Sequence, residues 1–211
     1  MKRFRWIFLL LCSMTSFAPV LAQANEPDNR FGGWEFIEIN HNFKQSRWFV
    51  TEYFEHDNFQ YKRLDCWYNR VTAGYNLLPW LKTAVNYDIL RDPDAWTHRA
   101  VFDLTGTLKQ QNLKVSVRER YIHSWTPELD NQGDVLRSRL KVQYHVPKTS
   151  FSPYVAIEVF TWDGNWQRSR HYLACTYDIT KHVQLEGYYM YYTYKNKPSE
   201  HIIGLGINLD I

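Results

Sequence analysis

The stretch Ile203-Gly204-Leu205-Gly206-Ile207-Asn208-Leu209-Asp210-Ile211 alternates apolar residues with small or polar ones. Because successive side chains of a β-strand point to opposite faces, this pattern predicts a strand with one apolar and one polar face. Transmembrane barrels are built from such strands, but one strand in a soluble sandwich alternates in the same way. The stretch therefore favours a membrane barrel only if the pattern recurs along the chain.

The opposite end of the chain has the layout of an export signal. A basic start precedes a short apolar core at 6–11 and a small-residue cleavage site at 20–22. This order is typical of a secretory signal peptide. We predict a signal peptide over residues 1–22 and a single mature domain over residues 23–211. Cys12 would suit a lipoprotein signal, but the bulky leucine before it stands where such sites carry a small residue.

Composition separates this chain from helical membrane proteins and from nucleic-acid binders. Aromatic residues make up 17% of the chain, yet its mean hydropathy is −0.51. No stretch reaches the roughly 18 uncharged apolar residues of a transmembrane helix. In a barrel only alternate residues meet lipid, so a low mean hydropathy is expected. The formal net charge of +3, without a basic run or stacking motif, gives no reason to expect a nucleic-acid partner.

Strand-like runs recur over the whole mature chain, and apolar residues show no helical spacing. Each run reaches the roughly 9 to 11 residues of a tilted transmembrane strand. Short turns alternate with longer loops, and aromatic residues flank both, as in outer-membrane barrels. We predict an all-β, antiparallel up-and-down transmembrane barrel. Bacterial barrels have even strand numbers, so we expect ten to twelve strands, twelve preferred, although eleven runs are visible at 33–43, 47–56, 62–76, 80–91, 97–108, 112–125, 134–146, 153–163, 166–179, 182–195 and 200–211.

Several features resemble a known family. They are the opening at 34–43, the turn at 74–80 and three Arg-x-Arg pairs, namely Arg118/Arg120, Arg137/Arg139 and Arg168/Arg170. This combination resembles the domain-of-unknown-function 2490 family of predicted outer-membrane proteins, common in Bacteroidota. The resemblance covers most of the mature chain. It implies a signal peptide, a small barrel in a Gram-negative outer membrane and no established activity.

The Arg-x-Arg pairs also have a physical interpretation. A spacing of two places both arginines on one face of a strand, and a lipid-facing arginine at the bilayer midplane would cost about 2 to 4 kcal/mol. The pairs should therefore face the lumen, with inward carboxylates beside them. Such a network would fill a small barrel, or its arginines would form an anion site. The candidate luminal charge network comprises Arg118, Arg120, Arg137, Arg139, Arg168, Arg170, Asp103, Glu158 and Glu186.

Further charged residues can face inward by the same alternation: Glu38, Glu52, Arg70, Asp88, Arg99 and Asp178. Glu119 does not fit, because alternation through its strand places it outward. A β-bulge near 118–120 would reconcile it with a luminal position, and so would a position above the lipid.

No motif predicts catalysis, a cofactor or a metal. His123 and Ser124 are adjacent, but neighbouring strand residues face opposite ways and cannot form a nucleophile–base hydrogen bond without a kink. Zinc spacing, a phosphate-binding loop and a paired-cysteine motif are missing from the sequence. We therefore expect no catalytic residue, no cofactor and no metal. The spacing of Cys66 and Cys175 leaves open whether they form a disulfide.

Three functions are compatible with these patterns. A structural or weakly transporting outer-membrane barrel fits best, with outer-membrane lipid, the barrel assembly machinery and an unknown small solute as its partners. The second is a soluble periplasmic barrel that binds an apolar ligand, with its apolar faces inward and its arginines outward. The third is an outer-membrane acyl hydrolase or acyltransferase that acts on lipid.

Overall fold

Eleven β-strands form one closed barrel in the computed structural model, which describes residues 30–59, 63–196 and 198–211. The predicted signal peptide lies outside these residues. One 3₁₀ turn, Pro127–Leu129, separates β6 from β7. The strands are β1 (Arg30–Asn42), β2 (Trp48–Phe59), β3 (Arg63–Leu78), β4 (Leu81–Arg91), β5 (Trp96–Gln110), β6 (Leu113–Thr126), β7 (Asn131–Tyr144), β8 (Phe151–Trp162), β9 (Asn165–Thr180), β10 (Val183–Tyr194) and β11 (Glu200–Asp210).

The first and last strands close the barrel in parallel. Trp34 of β1 lies opposite Gly204 of β11, and Glu38 lies opposite Asn208, whereas every other neighbouring pair is antiparallel. The all-β barrel and the range of ten to twelve strands are confirmed. The preference for twelve strands is wrong, and the barrel is not antiparallel throughout. With eleven strands, the two closing strands run in the same direction, and a parallel ladder satisfies their backbone groups.

Alternation along the strands places apolar side chains on the outer surface. Leu173 is 65% exposed there, and Ile203 and Leu205 are each 43% exposed. At the end with the longer loops, the outward rings of Trp67 and Trp96 meet edge to face at 6.0 Å. An apolar band with aromatic residues at its border suits lipid. The alternative with apolar faces inward and arginines outward is therefore wrong. No helix within the described ranges is long and apolar enough to cross a membrane.

Aromatic rings fill one side of the interior, where they pack on glycines of β11. A Cβ atom at Gly204 would lie 1.9 Å from the ring of Tyr188, and one at Gly206 would lie 2.1 Å from the ring of Phe36. Tyr188 and Phe36 are each 8% exposed. The small residues of the terminal strand thus let large rings approach the backbone.

Two glutamates lie on the outer surface instead of in the lumen. The strand register runs without a shift through 118–120, so the first of the two alternatives for Glu119, a β-bulge, is wrong. Glu119 is exposed and accepts a hydrogen bond from Ser138 Oγ at 2.6 Å. Glu52 was expected inward but is exposed, because the alternation of β2 turns Tyr53 and Glu55 toward the lumen.

Cys66 and Cys175 do not pair with each other. Cys66 lies on β3 and Cys175 on β9, which are not neighbouring strands, and both thiols are free. Cys66 lines the central cavity and donates a weak hydrogen bond to its neighbour's carbonyl. The barrel is closed by backbone pairing without a covalent link between these positions.

The outward direction of Leu205 can be tested against the inward direction of Asn208. Leu205→Arg would place a charge in lipid and should reduce folding stability by about 2 to 4 kcal/mol. Asn208→Arg would place it in the lumen, where Asn208 Nδ2 already lies 3.4 Å from a carboxylate oxygen of Glu186. Urea unfolding in lipid vesicles measures both. Equal losses would contradict the register.

The packing of Tyr188 on Gly204 makes a second prediction. Gly204→Ala should reduce stability by about 1 to 3 kcal/mol, because the added methyl group overlaps the ring. Gly106→Ala is the matched control, since a Cβ atom there meets nothing within 4 Å. We expect this control to be neutral or slightly stabilising, because alanine loses less backbone entropy than glycine on folding. Equal effects in the same unfolding assay would argue against the contact.

Candidate functional site: the charged lumen

Two cavities occupy the interior of the barrel. The central cavity has a volume of about 460 Å³ and is lined by residues of all eleven strands, with Asn208 as the contribution of β11. The second cavity, of about 700 Å³, lies at the end with the short turns, which is the periplasmic end in outer-membrane barrels. Their common wall consists of Glu38, Asn40, Lys141, Glu186 and Asn208.

Glu158 is the centre of the charge network. Its side chain is fully buried, at 0% exposure, on β8. Tyr172 donates a hydrogen bond to its carboxylate at 3.1 Å. Four arginines of β6, β7 and β9 also point to this group, with N···O distances of 2.5 Å for Arg137, 3.0 Å for Arg118, 3.5 Å for Arg139 and 3.9 Å for Arg170.

Two further ion pairs are buried in the same lumen. Arg70 binds both oxygens of Asp88 at 2.7 Å, and the hydroxyl of Tyr68 donates to this carboxylate at 3.0 Å. Arg120 binds both oxygens of Asp103 at 2.5 and 2.6 Å. Bidentate pairs of this kind hold both groups in a fixed geometry. Each pair joins two residues that lie directly opposite one another on neighbouring strands.

The remaining two predicted residues lie in the lumen and form no ion pair with another residue of the described ranges. Arg168 forms no ion pair with the described residues, and its guanidinium lies 4.6 Å from the ring centroid of Phe160. Glu186 accepts a hydrogen bond from the hydroxyl of Tyr154 at 2.5 Å. The structure thus connects seven of the nine predicted residues by ion pairs and places Arg168 and Glu186 in the same cavity.

Sequence reasoning missed the aromatic contribution to this site. The guanidinium of Arg170 lies 4.6 Å from the ring centroid of Trp34 and 4.5 Å from that of Tyr192. Lys141 Nζ lies 3.5 Å from the ring centroid of Tyr154. The signal was present in the alternation of β10, which places Tyr188, Met190, Tyr192 and Tyr194 on one face. Read with the inward arginines, that alternation would have predicted cation–π contacts.

Charges of the two signs lie on different parts of the cavity wall. Carboxylates occupy β1, β2 and β10, where Glu38, Glu55, Asp57 and Glu186 line the cavity. All ten cationic side chains that line it belong to strands from β3 to β9, together with only two lining carboxylates, Asp103 and Glu158. The described lumen therefore has an electric field across it and an excess of positive charge.

The serine–histidine pair considered from the sequence is split between two faces. His123 Nδ1 lies 2.8 Å from Asp134 on the outer surface, whereas Ser124 lines the central cavity. Ser169 Oγ does lie 3.0 Å from His171 Nε2, but no acidic or amide side chain within the described ranges hydrogen-bonds to that imidazole. Within the same ranges, no group of three or more potential ligands could hold a metal ion.

Solved structures share this architecture. The NanC porin aligns with a TM-score of 0.53 and 11% identity, over 78% of this chain and 85% of that one. The KdgM porin aligns with a TM-score of 0.50 and 12% identity, over 80% of this chain and 87% of that one. At these identities the likeness concerns the fold alone. Together with the apolar outer surface, the porin fold supports an outer-membrane location.

The family comparison agrees with the resemblance seen in the sequence. Comparison with curated protein sequences finds no match. The family described as "Protein of unknown function (DUF2490)" matches residues 31–201, a range that includes β2 to β10 and most of β1. The chain belongs to this family of unknown function, DUF2490.

Proposed function

We propose that the protein is a non-enzymatic outer-membrane barrel that has a structural role or passes small solutes only weakly, because charged side chains fill its lumen. The observation that carries this proposal is the fully buried carboxylate of Glu158 among four arginines. A wide water-filled pore would leave such a carboxylate solvated.

The network restrains the lumen because its members cross several strands. Arg118 belongs to β6, yet its guanidinium reaches Glu158 on β8 across the intervening β7. Arg139 and Arg170 lie directly opposite Glu158 in the register, on β7 and β9. Because each side chain is bonded to one strand and paired by charge with a residue of another, it cannot move aside freely. Removing one partner of a buried ion pair costs about 3 to 5 kcal/mol. A solute must pass beside this network.

The common wall of the two cavities is a second restriction. Lys141 lies there on the cationic side, and Glu38 and Glu186 lie on the anionic side. A passing solute meets charges of both signs at this wall, which slows conduction because each attraction to the wall must be broken before the solute moves on. Weak passage of small solutes agrees with this geometry better than bulk flow does.

The case against catalysis rests on the arrangement of the potential nucleophiles. His123 and Ser124 face opposite sides of the barrel wall. The imidazole of His171 has no orienting carboxylate or amide within the described ranges, although Ser169 Oγ is within hydrogen-bond distance. Nucleophilic catalysis by serine requires a base that a third group orients.

Conductance in planar bilayers tests this function. The native barrel should give little or no steady conductance. Glu158→Gln should raise conductance and shift the reversal potential toward anion selectivity, because four arginines lose their common counter-charge and repel one another. Glu119→Gln is the matched control, since it removes a carboxylate from the outer surface of β6. It should leave conductance unchanged.

Heat-modifiable migration on gels verifies that each variant is folded before recording. Large stable channels in the native protein would overturn the proposal. So would a folded Glu158→Gln barrel whose conductance and ion preference equal those of the native protein.

A further inference from the structure

Three guanidinium groups surround a single buried ring in the lumen. The ring is that of Phe160, which is 2% exposed, near the outer end of β8. Its centroid lies 4.6 Å from the guanidinium of Arg168, 5.0 Å from that of Arg137 and 5.1 Å from that of Arg170. These three arginines, here called the Phe160 cluster, bring three positive charges together in a partly buried space.

Carboxylates of the structure do not balance this charge. Glu158 is shared among four arginines, of which Arg137 and Arg170 belong to the cluster. Arg168 forms no ion pair with any residue that the structure describes. In addition, the buried Nε atom of Arg170 has no hydrogen-bond acceptor there, and the same is true of Arg118 and Arg139. Buried donors and unbalanced cations are costly, so the geometry favours a further acceptor.

Two carboxylates of the opposite wall, those of Glu55 and Glu186, do not supply that acceptor. Glu55 lines the same cavity, but its carboxylate accepts a hydrogen bond from the hydroxyl of Tyr53. Glu186 is hydrogen-bonded to Tyr154 at the common wall of the two cavities. Neither forms an ion pair with an arginine within the described ranges.

We propose that the Phe160 cluster binds a small multivalent oxyanion, a solute that carries carboxylate or phosphate groups. Guanidinium groups present a planar fork of donors that matches both kinds of group. The rings of Phe160 and Tyr192 hold the faces of Arg168 and Arg170, which keeps their N–H edges available for an anion.

The position of Arg168 makes the cluster accessible. It lies three residues after the start of β9, close to the outer end of the barrel, is half-buried and lines the central cavity. A solute that enters from the long-loop end therefore meets Arg168 before it meets Glu158. This inference rests on the proposed function in one respect, namely that small solutes enter the lumen.

Isothermal titration calorimetry of the refolded barrel in a zwitterionic detergent tests the site, with citrate and inorganic pyrophosphate as probes. Both should bind, and binding should weaken as ionic strength rises, because the attraction is between charges. Arg168→Gln should weaken binding about tenfold or more, since hydrogen bonds to charged groups are lost. Binding of one probe but not the other would also support the site and would identify whether it prefers carboxylate or phosphate groups.

Arg91→Gln is the matched control. Its guanidinium also stacks on an aromatic ring near the outer end, 5.3 Å from the centroid of Trp96, but on β4 and on the outer surface. We expect this variant to bind both probes like the native protein. An equal loss of probe affinity in Arg91→Gln and Arg168→Gln would mean that the probes are attracted only by the overall charge of the protein, and it would overturn the site. Failure of both probes to bind would overturn it as well.

Glu158→Gln should change the affinity for the probes in the opposite direction. Its carboxylate competes with the ligand for Arg137 and Arg170, so its neutralisation should tighten binding of both probes. Unchanged or weaker binding in a folded Glu158→Gln barrel would contradict the proposal, and if this variant does not fold, Arg168→Gln decides.

Because calorimetry in detergent requires no bilayer, a highly conducting protein that binds citrate would overturn the proposed function alone. A closed barrel that binds neither probe would overturn this inference alone.

Discussion

Backbone hydrogen bonding in lipid is the constraint on which the structure depends. No water in the hydrocarbon region can satisfy a free strand edge, so the sheet must close. With eleven strands, closure pairs β1 with β11 in parallel, and it brings Trp34 and Phe36 beside the glycines of the terminal strand. The rings of Phe36 and Tyr188 then pack directly over Gly206 and Gly204. The aromatic side of the interior is therefore built around the closing pair.

The opposite side of the interior is organised by charge. An arginine at the bilayer midplane is costly on the lipid-facing surface, and ten cationic side chains of β3 to β9 instead line the central cavity. Arginines that face one another in the register, such as Arg118 and Arg139, would repel without a common counter-charge. Glu158 provides it by accepting contacts from β7 and β9 on either side and from β6 beyond β7. The proposed low conductance and the proposed anion site are two consequences of this one arrangement.

Much of the fold could be predicted from the sequence because alternation is a local property. The eleven runs visible in the sequence correspond to the eleven strands, with ends that differ by a few residues. The inward direction of Arg118, Arg137 and Arg139 also follows from spacing alone, since a period of two leaves no other choice once the apolar face meets lipid. Glu52 was misplaced because one strand offers polar residues on both faces, and burial decides between them.

The sequence by itself determined the strands, their faces and the excess of inward positive charge. Only the tertiary structure decided how the barrel closes, because pairing between β1 and β11 joins residues that are more than 160 positions apart. It also decided that Glu158, and not Asp103 or Glu186, is shared by four arginines. Partners across strands depend on the register between them, and the register is set by the packing of the whole barrel, which no local pattern contains.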